Sequence, residues 1–247
     1  MGVLEAAARI VQLGGGSRDR ESRVAEMRAA FEARTGAFAP EDAWFEERSR
    51  AFWCDAVTRG RLGREVEGQL GPEDRMWLAP LERAHRGLFQ RLLQRPLQRP
   101  SGPSLSGGPS RRAGAGEWAG EVLVDMWSGA EIVVTALDDE SRAELEAATG
   151  QLFDARLVGA DEPLVVALLP GAVFHPRHAT PAILDVLKAA HASGVSTHDT
   201  LDALLRMERT LRALTRVKTT YAYRAEALAA QPSASQRPVR RGAKGPR

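Results

Sequence analysis

The sequence predicts an α+β protein: a helical N-terminal bundle, a flexible linker, and a small antiparallel β module closed by two C-terminal helices. Three observations carry this. Apolar residues recur at three- and four-residue steps through the first 94 positions. Residues 96–116 then hold 13 Pro, Gly or Ser among 21. Beyond them apolar residues alternate at a period of two until about Phe174, where helical spacing returns.

The first expected helix runs from Val3 to Leu13 and stops at Gly14-Gly15-Gly16. The second, from about Asp19 to Arg34, carries Val24, Met27 and Phe31 on one face and has Gly36 just past its end. A third starts at Pro40-Glu41-Asp42, a proline followed by acids that suit the positive end of a helix dipole. It places Phe45, Ser49, Phe52 and Ala56 together. The fourth is expected from Glu73 to Gln94, with Trp77, Leu81, His85 and Leu88 along one stripe. Four such helices can bury a common core.

Residues 95–116 carry four Arg and no acid, and their composition offers too little apolar surface to offset ordering entropy. They read as a linker. Strands are then expected around Val122 to Trp127, Ile132 to Thr135, Leu152 to Val158, Leu164 to Leu169 and Ala172 to Phe174, with a helix from Asp138 to Ala148 between the second and third. Short strands joined by tight turns favour antiparallel pairing. Thr180-Pro181 opens a helix that ends at Gly194. Ser196 to Asp199 resembles a capping box and starts a long helix, expected to reach about Ala230. The chain therefore divides into a helical domain (1–94), a linker (95–116), an acidic β module with two helices (117–230) and a disordered basic tail (231–247).

The net charge of +2 hides a segregation: residues 1–94 balance, residues 117–176 carry 12 acids against two Arg, and the last 17 residues carry five cations and no acid. Arginine outnumbers lysine 31 to 3, a composition of high-GC bacterial genes. One cysteine, Cys54, excludes an internal disulfide and any cysteine-rich zinc module. The N-terminal residues lack the charge pattern of a secretory signal, and the longest uncharged apolar stretch, Pro163 to Phe174, is too short to span a bilayer. A cytoplasmic protein with no membrane contact is expected.

No nucleotide motif is present: Gly14-Gly15-Gly16-Ser17 lacks the lysine of a phosphate loop. No cofactor is expected. His175 and His178, in "FHPRHATP", are the only spacing that invites a metal, but Pro176 keeps the backbone between them extended, so no metal centre is expected. Cys54 has no local signature of a nucleophile, and the paired acids sit where helix starts and turns already explain them. Partner binding is expected instead along the long helix, where Leu204, Met207, Leu211, Leu214 and Tyr221 fall in steps of three, four, three and seven. The tail cations Arg237, Arg240, Arg241, Lys244 and Arg247 suit phosphate contacts, without an aromatic residue to stack on bases.

The sequence thus points to a non-enzymatic interaction or regulatory protein that meets a protein partner, or a second copy, through its acidic β module and long helix. One alternative is a nucleic-acid-associated protein using the basic linker and tail. The other is a metal-dependent enzyme built on His175 and His178.

Overall fold

Six helices precede the first strand. The computed structural model describes residues 2–92, 120–161, 164–214 and 218–228. Helices α1 (Val3–Gly15), α2 (Glu21–Thr35) and α3 (Phe45–Thr58) form most of the N-terminal layer, followed by the short α4 (Leu62–Glu65), α5 (Pro72–Arg75) and α6 (Leu78–Glu82). Helix α1 buries Val3, Ala6, Ala7 and Ile10, a spacing that puts one face inward. Phe31 of α2 meets Phe38 and Phe52 edge-on at 6.2 and 6.0 Å.

The expected helix from Glu73 to Gln94 is not formed as such. Its first part breaks into α5 and α6, and its second part is strand β1 (His85–Arg91). Pro80 lacks the donor a continuous helix needs, and Gly87 is a weak helix former. The residues on either side of β1 go to different cores: Phe89 packs inside the sheet and Leu88 against the C-terminal helices. Burial on both faces hid the period of two.

Strands β2 (Glu121–Asp125) and β3 (Glu131–Val134) form a hairpin, helix α7 (Asp139–Ala147) follows, and β4 (Leu152–Asp161), β5 (Leu164–Leu168) and β6 (Val173–Phe174) return. The strand order is β3-β2-β1-β4-β5, all antiparallel, with β6 on β4 beyond β5. The sheet curls until the chain leaving β3 reaches β5, where Ala136 bridges Ala167 in parallel and Leu168 N donates to Ala136 O at 2.9 Å. A meander, a helix, and two strands that return beside the first and third strands make the connectivity of the five-stranded Greek-key barrel. Phe89, Leu123, Val134, Phe153, Leu157 and Leu168 fill its interior, together with Leu145 of α7.

Two further cores wrap the outside of β1, β4 and β5. Helices α8 (Thr180–Ala192) and α9 (Thr197–Ala213) bury Ile183, Val186, Leu201 and Leu204 against Leu88 and Leu152. The N-terminal helices share a core with Val158, Ala167, Leu169 and Val173 of the barrel and with Leu205 of α9. The outward residues of the β2–β3 hairpin, Val122, Val124 and Val133, stay half-buried and Glu131 exposed.

The long last helix ends at Ala213, well short of Ala230. Leu214 turns to extended backbone (φ −102, ψ 113), and the short α10 (Thr219–Ala222) folds back so that Ala222 and Tyr223 join the core of Leu204 and Met207. Thr215, Val217, Thr219 and Thr220 are β-branched, a run that weakens helix continuation. Glycine is required at Gly171, between β5 and β6: its φ is +99, and a Cβ there would lie 2.6 Å from Arg50 O.

Candidate functional site

Six charged side chains form a continuous chain of ion pairs where the three layers meet. Arg156 of β4 donates to Asp55 of α3 at 2.5 Å. Asp55 also accepts from Arg34 of α2 at 2.6 Å, and Arg34 donates to Asp202 of α9 at 3.2 Å. Asp202 accepts from Arg86 of β1 at 2.6 Å, and Arg86 ends the chain on Asp154 of β4, also at 2.6 Å. Leu88↔Asp154 and Arg86↔Arg156 are register pairs, so the outward face of adjacent strands carries all three charged barrel residues. Burial opposes the charge on Arg86, but Asp154 and Asp202 more than reverse it, leaving the guanidinium more firmly protonated than usual. Burial likewise opposes the charge on Asp202, and Arg86 with Arg34 hold its carboxyl below the usual range. Three cations and three anions, each with a partner of opposite sign, make this a structural clasp rather than reactive groups.

A second cluster lies further along α9. Arg48 of α3 donates to Glu208 at 2.6 Å and to Leu205 O at 2.5 Å, Arg212 also pairs with Glu208, and Arg212 meets Glu47 at 2.9 Å. Arg48 is 2% exposed and Glu208 fully buried. Burial lowers the Arg48 pKa to about 10.

Beside this chain of ion pairs, one end of the barrel opens into a cavity of about 390 Å³. Its walls are His85 and Arg86 of β1, Asp125 of β2, Trp127, Ser128 and Ala130 in the hairpin turn, Ile132 of β3, and Thr197 with His198 at the start of α9. His85 Nε2 lies 3.2 Å from Asp125 Oδ2. Trp127 N donates to Oδ1 of the same carboxylate, and Ser128 Oγ to Oδ2, each at 2.9 Å, so Asp125 both shapes the turn and orients the imidazole. The Trp127 indole is stacked on His191 of α8, ring centres 3.8 Å apart. His198 has a pKa below the ordinary value, through burial first and then the cations Arg86 and Arg59. His85 was expected on the apolar stripe of a helix; it is instead the half-exposed first residue of a strand at this pocket.

The structure places the sequence-derived candidates as follows. His175 is 1% exposed with Nδ1 3.0 Å from Tyr223 Oη, whereas His178 is exposed on the turn Arg177–Ala179, so the two do not present nitrogens to one point. Among the described residues no three His, Cys, Asp or Glu side chains gather as metal ligands do. On the long helix Leu204 and Met207 are buried in the chain's own core and Leu211 packs partly on it, while Leu214 is 48% and Tyr221 68% exposed. Arg237, Arg240, Arg241, Lys244 and Arg247, and most of the linker, lie outside the described residues. Cys54 is buried beside an apolar groove of about 350 Å³ between α1 and α3, and burial raises its thiol pKa. Among the described residues no helix is long and apolar enough to cross a membrane.

The chain of ion pairs and the barrel-mouth pocket were not anticipated. Their residues are scattered from 34 to 202, so no local spacing links them. The one available signal was the outward pair Asp154 and Arg156 inside an otherwise apolar strand. No family model, curated protein or solved structure matches this chain.

Proposed function

We propose that this chain is a non-enzymatic interaction protein with a regulatory role, and that its docking element is the C-terminal end of α9 with the segment that folds back beyond it. The observation that supports this is the change of exposure along one helix. Leu204 and Met207 are buried, while Leu214 and, on α10 packed beside α9, Tyr221 stand out in solvent. Large apolar side chains exposed on neighbouring elements suit a protein partner or a second copy. The same helix lines the barrel-mouth pocket at its start and holds Asp202 and Glu208 in its middle. A partner gripping its end therefore pulls on the clasp that unites the layers.

A photo-crosslinking side chain placed at 214 or 221 tests this in the native cell, with Met76, 51% exposed on the helical layer, as the control position. Crosslinks to one defined protein or to a second copy from 214 and 221, and not from 76, support the reading. Their absence from 214 and 221, or an identical pattern from 76, contradicts it.

A second reading, association with nucleic acid, draws on the barrel connectivity, because barrels of this kind bind oligonucleotides on the face of their second and third strands. That is analogy of fold alone. The face offers Val122, Val124, Val133 and Glu131, which supply neither cations nor stacking rings. Retention on DNA or RNA at low salt, lost on deleting residues 231–247, supports this reading, and no retention at low salt removes it.

A further inference from the structure

We propose that residues 218–228 form a strap that acid releases from α8 and α9, with the contact between Tyr223 and His175 as its latch. This is independent of the docking reading, since it concerns the chain by itself.

The strap is lightly attached. Only Ala222 and Tyr223 of it are buried, while Ala227 and Leu228 pack half-buried on the core of Ile183, Leu204 and Met207. Among the described residues its backbone hydrogen bonds outside regular helix are internal: Tyr221 N donates to Lys218 O, Tyr223 N to Thr219 O and Ala227 N to Arg224 O. The hydrogen bond its side chains make to the rest of the protein, again among the described residues, joins Tyr223 Oη and His175 Nδ1 at 3.0 Å. The two rings meet edge-on with centres 5.9 Å apart. A segment with so few ties to the body opens at a lower free energy than the strands and helices beneath it.

Acid acts on the other half of the latch. His175 is 1% exposed, and its Nε2 is buried without a hydrogen-bond partner. A proton on this ring makes an imidazolium with one charged N–H unmatched away from water. Arg48 of α3 and Arg212 of α9 face the ring and oppose the proton, and Asp154 of β4 favours it. Asp154 is already paired with Arg86, and the carboxylates near the two arginines, Glu208 and Glu47, are paired with them. Burial pushes the Tyr223 hydroxyl pKa up, so the latch partner stays neutral. Burial first, then Arg48 and Arg212, lower the His175 pKa from 6.5 to about 4 against the pull of Asp154.

Lifting Tyr223 gives Nδ1 to water, and the imidazole then takes up its proton near the ordinary value. Below about pH 6.5 and down to about pH 4 the open strap binds a proton that the closed strap refuses, so opening gains roughly tenfold for each pH unit. The surface uncovered is the apolar face of α9 at Leu204 and Met207.

Amide hydrogen exchange on the full chain between about pH 6 and about pH 4.5, each rate compared with the intrinsic rate of that amide at the same pH, tests this at Tyr223 and Ala227. Their protection is expected to stay below that of amides in β4 and to fall by roughly tenfold per pH unit. In His175→Gln, which has no ring to titrate, the protection of the same two amides is expected to be constant across that range. Protection at Tyr223 and Ala227 that does not change with pH in the native chain, that equals the protection in β4, or that falls as steeply in His175→Gln would overturn the proposal.

Discussion

Arg86 Nη1 donates to Asp202 Oδ1 at 2.6 Å, joining the first strand of the barrel to the helix that crosses its outside. The two residues are 116 positions apart and both are buried, and each has one further close partner, Asp154 for Arg86 and Arg34 for Asp202. Removing the carboxylate leaves both Arg86 and Arg34 short of an acceptor. Asp202→Asn is therefore expected to destabilise the fold by roughly 3 kcal/mol or more in urea unfolding. Asp185→Asn, which breaks the exposed pair with Lys188 on α8, should change stability by less than about 0.5 kcal/mol.

His175 makes folding sensitive to acid. Burial, then Arg48 and Arg212, lower its pKa to about 4 against the opposing pull of Asp154. Between about pH 6.5 and pH 4 the unfolded chain takes up a proton that the folded chain refuses. The stability tied to this group is thus complete above about pH 6.5 and falls as pH drops through that window, by on the order of 3 kcal/mol. In His175→Gln the difference in unfolding free energy from the native protein should shrink steadily as the pH is lowered from 6.5 to 4. A constant difference across that range would contradict the assignment.

Gly171 is the hinge that lets β5 and β6 lie on the same edge of β4 while the chain skirts α3. With φ at +99 and Arg50 O 2.6 Å from any added Cβ, Gly171→Ala is expected to cost more than about 1 kcal/mol. Gly129→Ala, also at positive φ but with open space around it, should cost less than Gly171→Ala in the same thermal unfolding series.

The Cys54 thiol should be inert in the native state. It is buried, and burial raises its pKa, which lowers the thiolate fraction that reacts. Modification by a thiol reagent at neutral pH is expected to be slower by roughly a hundredfold or more than in denaturant, following the population of the open state. Comparable rates in the two conditions would show that the groove beside α1 and α3 gives access to sulfur.

The elements most plainly written in the sequence were those with a single buried face and a marked end. Asp138 caps α7 through Ser141 N and Ser196 caps α9 through Asp199 N, where turn residues precede an apolar stripe. The hairpin at Ser128-Gly129 and the stop at Gly194 belong to the same class. Strand β1 was illegible because Leu88 and Phe89 are both buried, one on each side, which mimics the inner face of a helix. The end of α9 was missed because Tyr221 continues the apolar step count of Leu211 and Leu214 even though the backbone has already turned. The polar residues that join the layers carry no period at all. Asp202 and Arg86 read as solvent-facing charges until the fold brings them together.

Helix α9, through Asp202, Glu208 and Leu205, ties the N-terminal helices and the barrel into one cooperative unit. Hydrogen exchange measured across a series of denaturant concentrations tests it most directly, by comparing amides in α1 to α3 with amides in β1, β2 and β4. The slowest amides of both groups are expected to converge on the same global unfolding isotherm. Two separate isotherms, with the helical layer opening while the barrel stays protected, would contradict it.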